Sequence, residues 1–124
     1  VEVNFLGLME LTRRLLPHLR LGIVNVGTHL AFVGKKNLVV YTATKWAVRG
    51  FTKSLAAELP HLRVCAVHPG ATATAMHGLT GMAPEKVAEI IFLAATGRLT
   101  KRPGADILVR HYRYGRVLVP VYKL

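Results

Sequence analysis

Gly22-Ile23-Val24-Asn25-Val26-Gly27-Thr28 is a short, mostly aliphatic run closed by a glycine and a hydroxyl. Its length and its flanking turn formers predict a buried strand over 22–26. Leu62-Arg63-Val64-Cys65-Ala66-Val67 predicts a second strand, followed by a loop over 68–83 that is rich in Gly, Ala, Thr and Pro. Working outward, residues 2–16 carry Phe5, Leu8, Leu11 and Leu15 at helical spacing, and Pro17 and Gly22 stop that helix. Residues 41–59 form the next helix, with Val48, Leu55 and Leu59 on its apolar stripe and Pro60 just past its end. Pro84 and Glu85 open a third helix that Gly97 closes, and a last strand is expected at about 105–109. Helix and strand alternate throughout. That order predicts an α/β chain with about three parallel strands and three helices, helices covering both sheet faces.

Composition narrows the classes. With 124 residues and 52% apolar content the chain is long enough for one modest core and too apolar for disorder. No apolar run approaches the roughly 20 residues that cross a bilayer, and no transmembrane segment is expected. The single cysteine, Cys65, falls inside a strand and reads as a small buried hydrophobe. One thiol forms no internal disulfide, which points to a reducing, cytoplasmic setting. The six histidines are scattered, and no metal is expected.

Tyr41 and Lys45 bring the chemistry. Four residues apart on a helix, they share one face. Tyrosine is a poor base at neutral pH, with an ordinary pKa of about 10. A cation held beside a phenol favours the phenolate and opens acid–base work. Thr28 precedes the tyrosine by thirteen residues at the end of a strand, and ligands of open α/β sheets bind beyond such carboxyl ends.

Four landmarks stand in order: Asn4-Phe5-Leu6-Gly7, Val24-Asn25-Val26-Gly27-Thr28, Tyr41-Thr42-Ala43-Thr44-Lys45, and Pro69-Gly70-Ala71-Thr72-Ala73-Thr74. In that order they resemble the carboxyl-terminal, catalytic half of the short-chain dehydrogenase/reductase family, closely over about residues 1–97. The resemblance implies a partial Rossmann-like, doubly wound parallel sheet. It implies an NAD(P)-dependent carbonyl reductase or alcohol dehydrogenase acting on a small carbonyl or alcohol, with NADP or NAD as cofactor. Tyr41 would then be the general acid–base, Lys45 would hold the nicotinamide ribose, Thr28 would orient the substrate, and Asn4 would hold a water for proton relay. Pro69 and Gly70 would shape the turn under the nicotinamide, with Thr72 and Thr74 beside the cofactor. Two departures from the family pattern are visible: Gly27 and Thr28 stand where the family carries two serines, and Thr72 replaces an aliphatic residue. The family also implies a homo-oligomer built through helices 2–16 and 41–59, with Trp46 and Phe51 near that surface. His29 and His68 flank the site and read as loop histidines.

No glycine-rich phosphate loop occurs in the 124 residues, so the nucleotide-binding half is expected to be missing and the piece alone to be inactive. Residues 1–110 are expected to form the partial catalytic domain and 111–124 a basic and apolar tail. Of the formal charge of +11, residues 97–124 carry +6, from seven Lys/Arg against Asp106. Arg110-His111-Tyr112-Arg113-Tyr114-Gly115-Arg116 interleaves cations and rings as single-strand nucleic-acid surfaces do, but a plain basic tail is the preferred reading. Two rivals stay open: a truncated, non-catalytic module that dimerises, and a basic nucleic-acid binder. Val117-Leu118-Val119-Pro120-Val121 is apolar and needs cover, from the sheet edge or a second subunit.

Overall fold

Three strands, β1 (Gly22–Val26), β2 (Arg63–Pro69) and β3 (Ala105–Arg113), lie parallel in the order β1-β2-β3 in a computed structural model of the protein. The structure describes the backbone of residues 1–113, 116–118 and 121–122, and side chains within 1–76 and 78–109. Three helices connect or precede these strands: α1 (Gly7–Leu15), α2 (Val39–Glu58) and α3 (Pro84–Ala95). α1 is entered through a π-type turn at Glu2–Leu6 and left through a 3₁₀ turn at Leu16–His18 that contains Pro17. Proline fits there because it cannot continue the α-helical ladder.

Alternation along the strands divides the core in two. Cys65, Val67, Ala105, Ile107 and Val109 face one way and pack with Val87, Ile90 and Ala94 of α3. Val64 and Ile23 belong to the other face, with Leu55, Ala56 and Phe51 of α2 and Leu16 behind α1. Covering both faces explains why the strands read as continuous apolar runs. Three polar residues within these runs, Asn25, His68 and Asp106, are buried. None of the helices among the described residues is long and apolar enough to cross a membrane.

The expected helices and parallel strands are present, and their ends differ. α2 begins at Val39, two residues before Tyr41, so the tyrosine sits within the first turn. β2 runs through His68 to Pro69 because both residues keep pairing with β3, at Leu108 and Val109. β3 continues to Arg113, well beyond the expected 109. Antiparallel strands β4 (Arg116–Leu118) and β5 (Val121–Tyr122) then pair back onto β3, with Arg110 opposite Leu118 and Ile107 opposite Val121. Sheet pairing thus accommodates part of the apolar run near the carboxyl end. Tyr114, Gly115, Val119, Pro120, Lys123 and Leu124, and the side chains from Arg110 onward on which the basic-tail reading rests, lie outside the described residues. The stretch expected as a free loop over 68–83 is partly paired: Ala73 and Met82 share a backbone bond of 2.8 Å, and Met82 donates to Ala71 at 2.9 Å.

Candidate active site

At the end of β1 the ladder persists one residue further, where the Gly27 amide donates to the Val67 carbonyl at 2.8 Å. Thr28 comes next in extended backbone and starts a 3₁₀ turn at His29–Ala31. Its hydroxyl lies 3.5 Å from Nδ1 of His29. Because β1 and β2 run parallel with Val26 opposite Val67, Thr28 and the Pro69-Gly70 turn leave the sheet at the same, carboxyl end. α2 packs against the turn that follows Thr28.

Tyr41 and Lys45 are one helical turn apart on α2. The Lys45 ammonium lies 5.6 Å from the Tyr41 ring centroid, within cation–π range. Lys45 is half-buried, and the desolvation of its charge lowers its pKa below the ordinary lysine range. No carboxylate reaches Lys45 among the described residues. Asn4 enters from the opening turn: its amide is 3.4 Å from the Thr44 hydroxyl, which itself donates to the Tyr41 carbonyl at 2.7 Å. Asn4 is thereby tied to the helical turn joining the phenol and the amine.

The other expected positions occupy the loop after β2. The Thr72 hydroxyl donates to the Gly70 carbonyl at 3.3 Å, and Thr72 forms an isolated parallel bridge with Met82. Thr74 is exposed and leads into a 3₁₀ turn at Ala75–His77. Direct contacts therefore join Tyr41 to Lys45, and Asn4 to the turn between them. Thr28, Pro69, Gly70, Thr72 and Thr74 are grouped by strand ends and make separate contacts.

His68 departs from its reading as a loop histidine. It is fully buried in β2, and its Nε2 lies 2.9 Å from Oδ1 of Asp106. Asp106 Oδ2 takes Nε of Arg49 at 3.1 Å and Nζ of Lys53 at 2.9 Å. Burial would raise the Asp106 pKa, but the bonds from His68, Lys53 and Arg49 outweigh it and hold the carboxyl at about 2. This cluster was not anticipated from the sequence. Its available signal was an acid inside an apolar strand, with two cations four residues apart on one helix. Cys65 is buried as expected, and burial pushes its thiol up to about 11.

The sequence pattern of the short chain dehydrogenases matches residues 1–83. The chain belongs to that family. Uncharacterized oxidoreductase YhxC of Bacillus subtilis is 41% identical over 73 residues, covering 56% of this chain and 26% of that protein. Trans-4-hydroxycyclohexanecarboxylate dehydrogenase of Sinomonas cyclohexanicum is 30% identical over 122 residues, covering 86% of this chain and 46% of that protein. Among solved structures, a 3-ketoacyl-(acyl-carrier-protein) reductase from Brucella melitensis, complexed with NADH, superposes with a TM-score of 0.79 at 28% identity. That match covers 86% of this chain and 53% of the reductase. The chain thus spans between about a quarter and about half the length of these family members.

Proposed function

We propose that this chain carries the acid–base half of an NAD(P)-dependent oxidoreductase that interconverts a small carbonyl compound and its alcohol. The observation behind this reading is the Tyr41–Lys45 pair: a phenol under a half-buried cation that no carboxylate neutralises among the described residues. Such a cation suits the hydroxyls and phosphates of a dinucleotide better than it suits a solvated helix surface. Lys45 and Tyr41, with the turn Pro69-Gly70 and the hydroxyls of Thr72 and Thr74, would hold the nicotinamide end. When bound, the cofactor supplies or accepts the hydride at the carbonyl carbon. Tyr41 gives its hydroxyl proton to the carbonyl oxygen as the alcohol forms, and takes it back in the oxidation direction. Lys45 stabilises the negative charge left on the phenol oxygen. Thr28 donates a hydrogen bond that orients the substrate oxygen, and Asn4 supports the helical turn between Tyr41 and Lys45 while holding a water for proton return.

The homo-oligomer remains part of the same proposal. α1 and α2 border a groove of about 410 Å³ lined by Leu6, Met9, Phe51 and Leu55. Phe51 is partly buried and meets Phe5 edge-on at 6.1 Å, so it sits under that surface, whereas Trp46 lies beside Arg49 on another side of α2.

The test is Tyr41→Phe in the full-length chain, assayed by NADPH or NADH oxidation across a panel of small ketones. Loss of the acid should lower kcat by about a hundredfold or more while cofactor binding, read by nucleotide fluorescence, persists. Full turnover by the variant would remove Tyr41 from the chemistry, and absence of turnover by the unsubstituted protein would remove the oxidoreductase reading.

A further inference from the structure

The family position held here by Gly27 precedes the site hydroxyl, and the reason for a glycine lies across the sheet. A Cβ on Gly27 would collide with Nδ1 of His68 and approach its Cε1 to 2.8 Å. The His68 ring therefore occupies the volume that a side chain at position 27 would fill. Four residues beyond Thr28, Phe32 packs on the same imidazole, with ring centroids 4.9 Å apart at 84°. The turn from Gly27 to Phe32 is thus seated on one ring at both of its ends, and Thr28 lies between them.

That ring is itself fixed. Asp106 is ion-paired to Arg49 and Lys53, so its carboxylate only accepts hydrogen bonds, and His68 Nε2 must donate to it. Nδ1 is buried and has no hydrogen-bond partner among the described residues, and it faces Gly27. Arg49 completes the connection: its guanidinium lies 4.3 Å from the Phe32 ring centroid and belongs to the helix that carries Tyr41 and Lys45.

We infer that His68 is a positioning residue, clamped by Asp106 and fitted to Gly27 and Phe32, that sets where the Thr28 hydroxyl stands relative to the Tyr41–Lys45 helix. The inference rests on the oxidoreductase reading for its catalytic consequence, and its structural content is independent of that reading. A serine restored at position 27 conflicts with His68, so the two positions act as one unit. Neither residue touches the reacting atoms.

The experiment uses the full-length chain with labelled threonine methyl groups. The Thr28 methyl should give one sharp resonance that moves or splits in His68→Ala, while the Thr44 methyl on α2 stays in place. His68→Gln, whose amide can still donate to Asp106, should return the Thr28 signal towards its original position. With the ketone that reports Tyr41 turnover, His68→Ala should lower kcat about tenfold with the cofactor KM unchanged. If His68→Ala fails to fold, Phe32→Leu removes one seat of the turn and should shift the same methyl. A Thr28 methyl that ignores both variants overturns the inference. If Tyr41→Phe keeps full turnover and the methyl still responds, the acid–base role of Tyr41 falls and the seating of Thr28 stands. If Tyr41→Phe is inactive and the methyl does not respond, only the positioning role falls.

Discussion

Asp106 is 1% exposed near the start of β3, which would be costly for an unpaired carboxylate. Three groups from two other elements converge on its two oxygens, so both are used. The cluster links acidity to folding. Burial raises the Asp106 pKa, and the bonds from His68, Lys53 and Arg49 overcome it, lowering the value from 3.8 to about 2. A carboxyl whose folded pKa is depressed stabilises the fold above its unfolded pKa and loses that contribution as pH falls through the folded one. The window here runs from about pH 4 down to about pH 2, and the contribution is about 2 kcal/mol. Urea unfolding of the full-length chain across that window should show the loss, and Asp106→Asn should flatten this part of the profile. At neutral pH the same variant should be less stable by about 3 kcal/mol, because Arg49 and Lys53 lose their counter-charge. An unchanged acid limb in Asp106→Asn would mean that other carboxylates govern acid unfolding.

α2 is the element on which both halves of this chemistry depend. Tyr41, Lys45, Arg49 and Lys53 recur at four-residue spacing along it, so one stripe carries the proposed acid–base pair and then the two cations of the buried cluster. A neighbouring face is held to β1 by a polar fastening. Asn25 Nδ2 donates to Thr52 Oγ1 at 2.9 Å, and that hydroxyl donates to the Val48 carbonyl at 2.7 Å, with Asn25 and Thr52 both buried. Thr52→Val keeps the shape and strands the Asn25 amide, which should cost about 1–3 kcal/mol in chemical denaturation. Thr52→Ser should recover most of it; equal loss in both variants would assign the effect to packing of the methyl group. The helix itself was legible in the sequence because its information is local: apolar stripe, four-residue pair and terminal proline all fall within one stretch. The ordered landmarks Asn4, Thr28 and Pro69-Gly70 were legible only as a family pattern, since no spacing rule links strand ends so far apart. His68 was not. A histidine before a proline reads as the start of a loop, and only Asp106, 38 residues away, makes its burial sustainable. The longer β3 was hidden for a similar reason, since the partners that extend it, β4 and β5, follow it in the chain and pair backwards onto it.

On the scale of the whole molecule, the sheet ends at β1, which pairs with β2 alone among the described strands. Beside that edge, α1 and β1 border a second groove of about 230 Å³ lined by Leu8, Leu11, Leu15 and Ile23, and Leu11, Leu15 and Val26 are exposed. An open strand edge next to an apolar helix face is a template for further pairing. Opposing it is a formal charge of +11, which keeps copies of the chain apart while the solvent screens weakly. The two effects respond differently to salt. Screening shortens from about 10 Å at 0.1 M to about 3 Å at 1 M ionic strength, whereas apolar burial does not depend on it in this way. Sedimentation velocity on the 124-residue chain should therefore show association that grows with protein concentration and strengthens as sodium chloride is raised. A charge set into the open flank by Val26→Lys or Leu11→Lys should weaken that association, and the same substitution at exposed Phe92 of α3, the helix on the other sheet face, should leave it unchanged. Association that weakened with salt would instead point to ion pairing between copies and would dismiss the β1 flank as the contact.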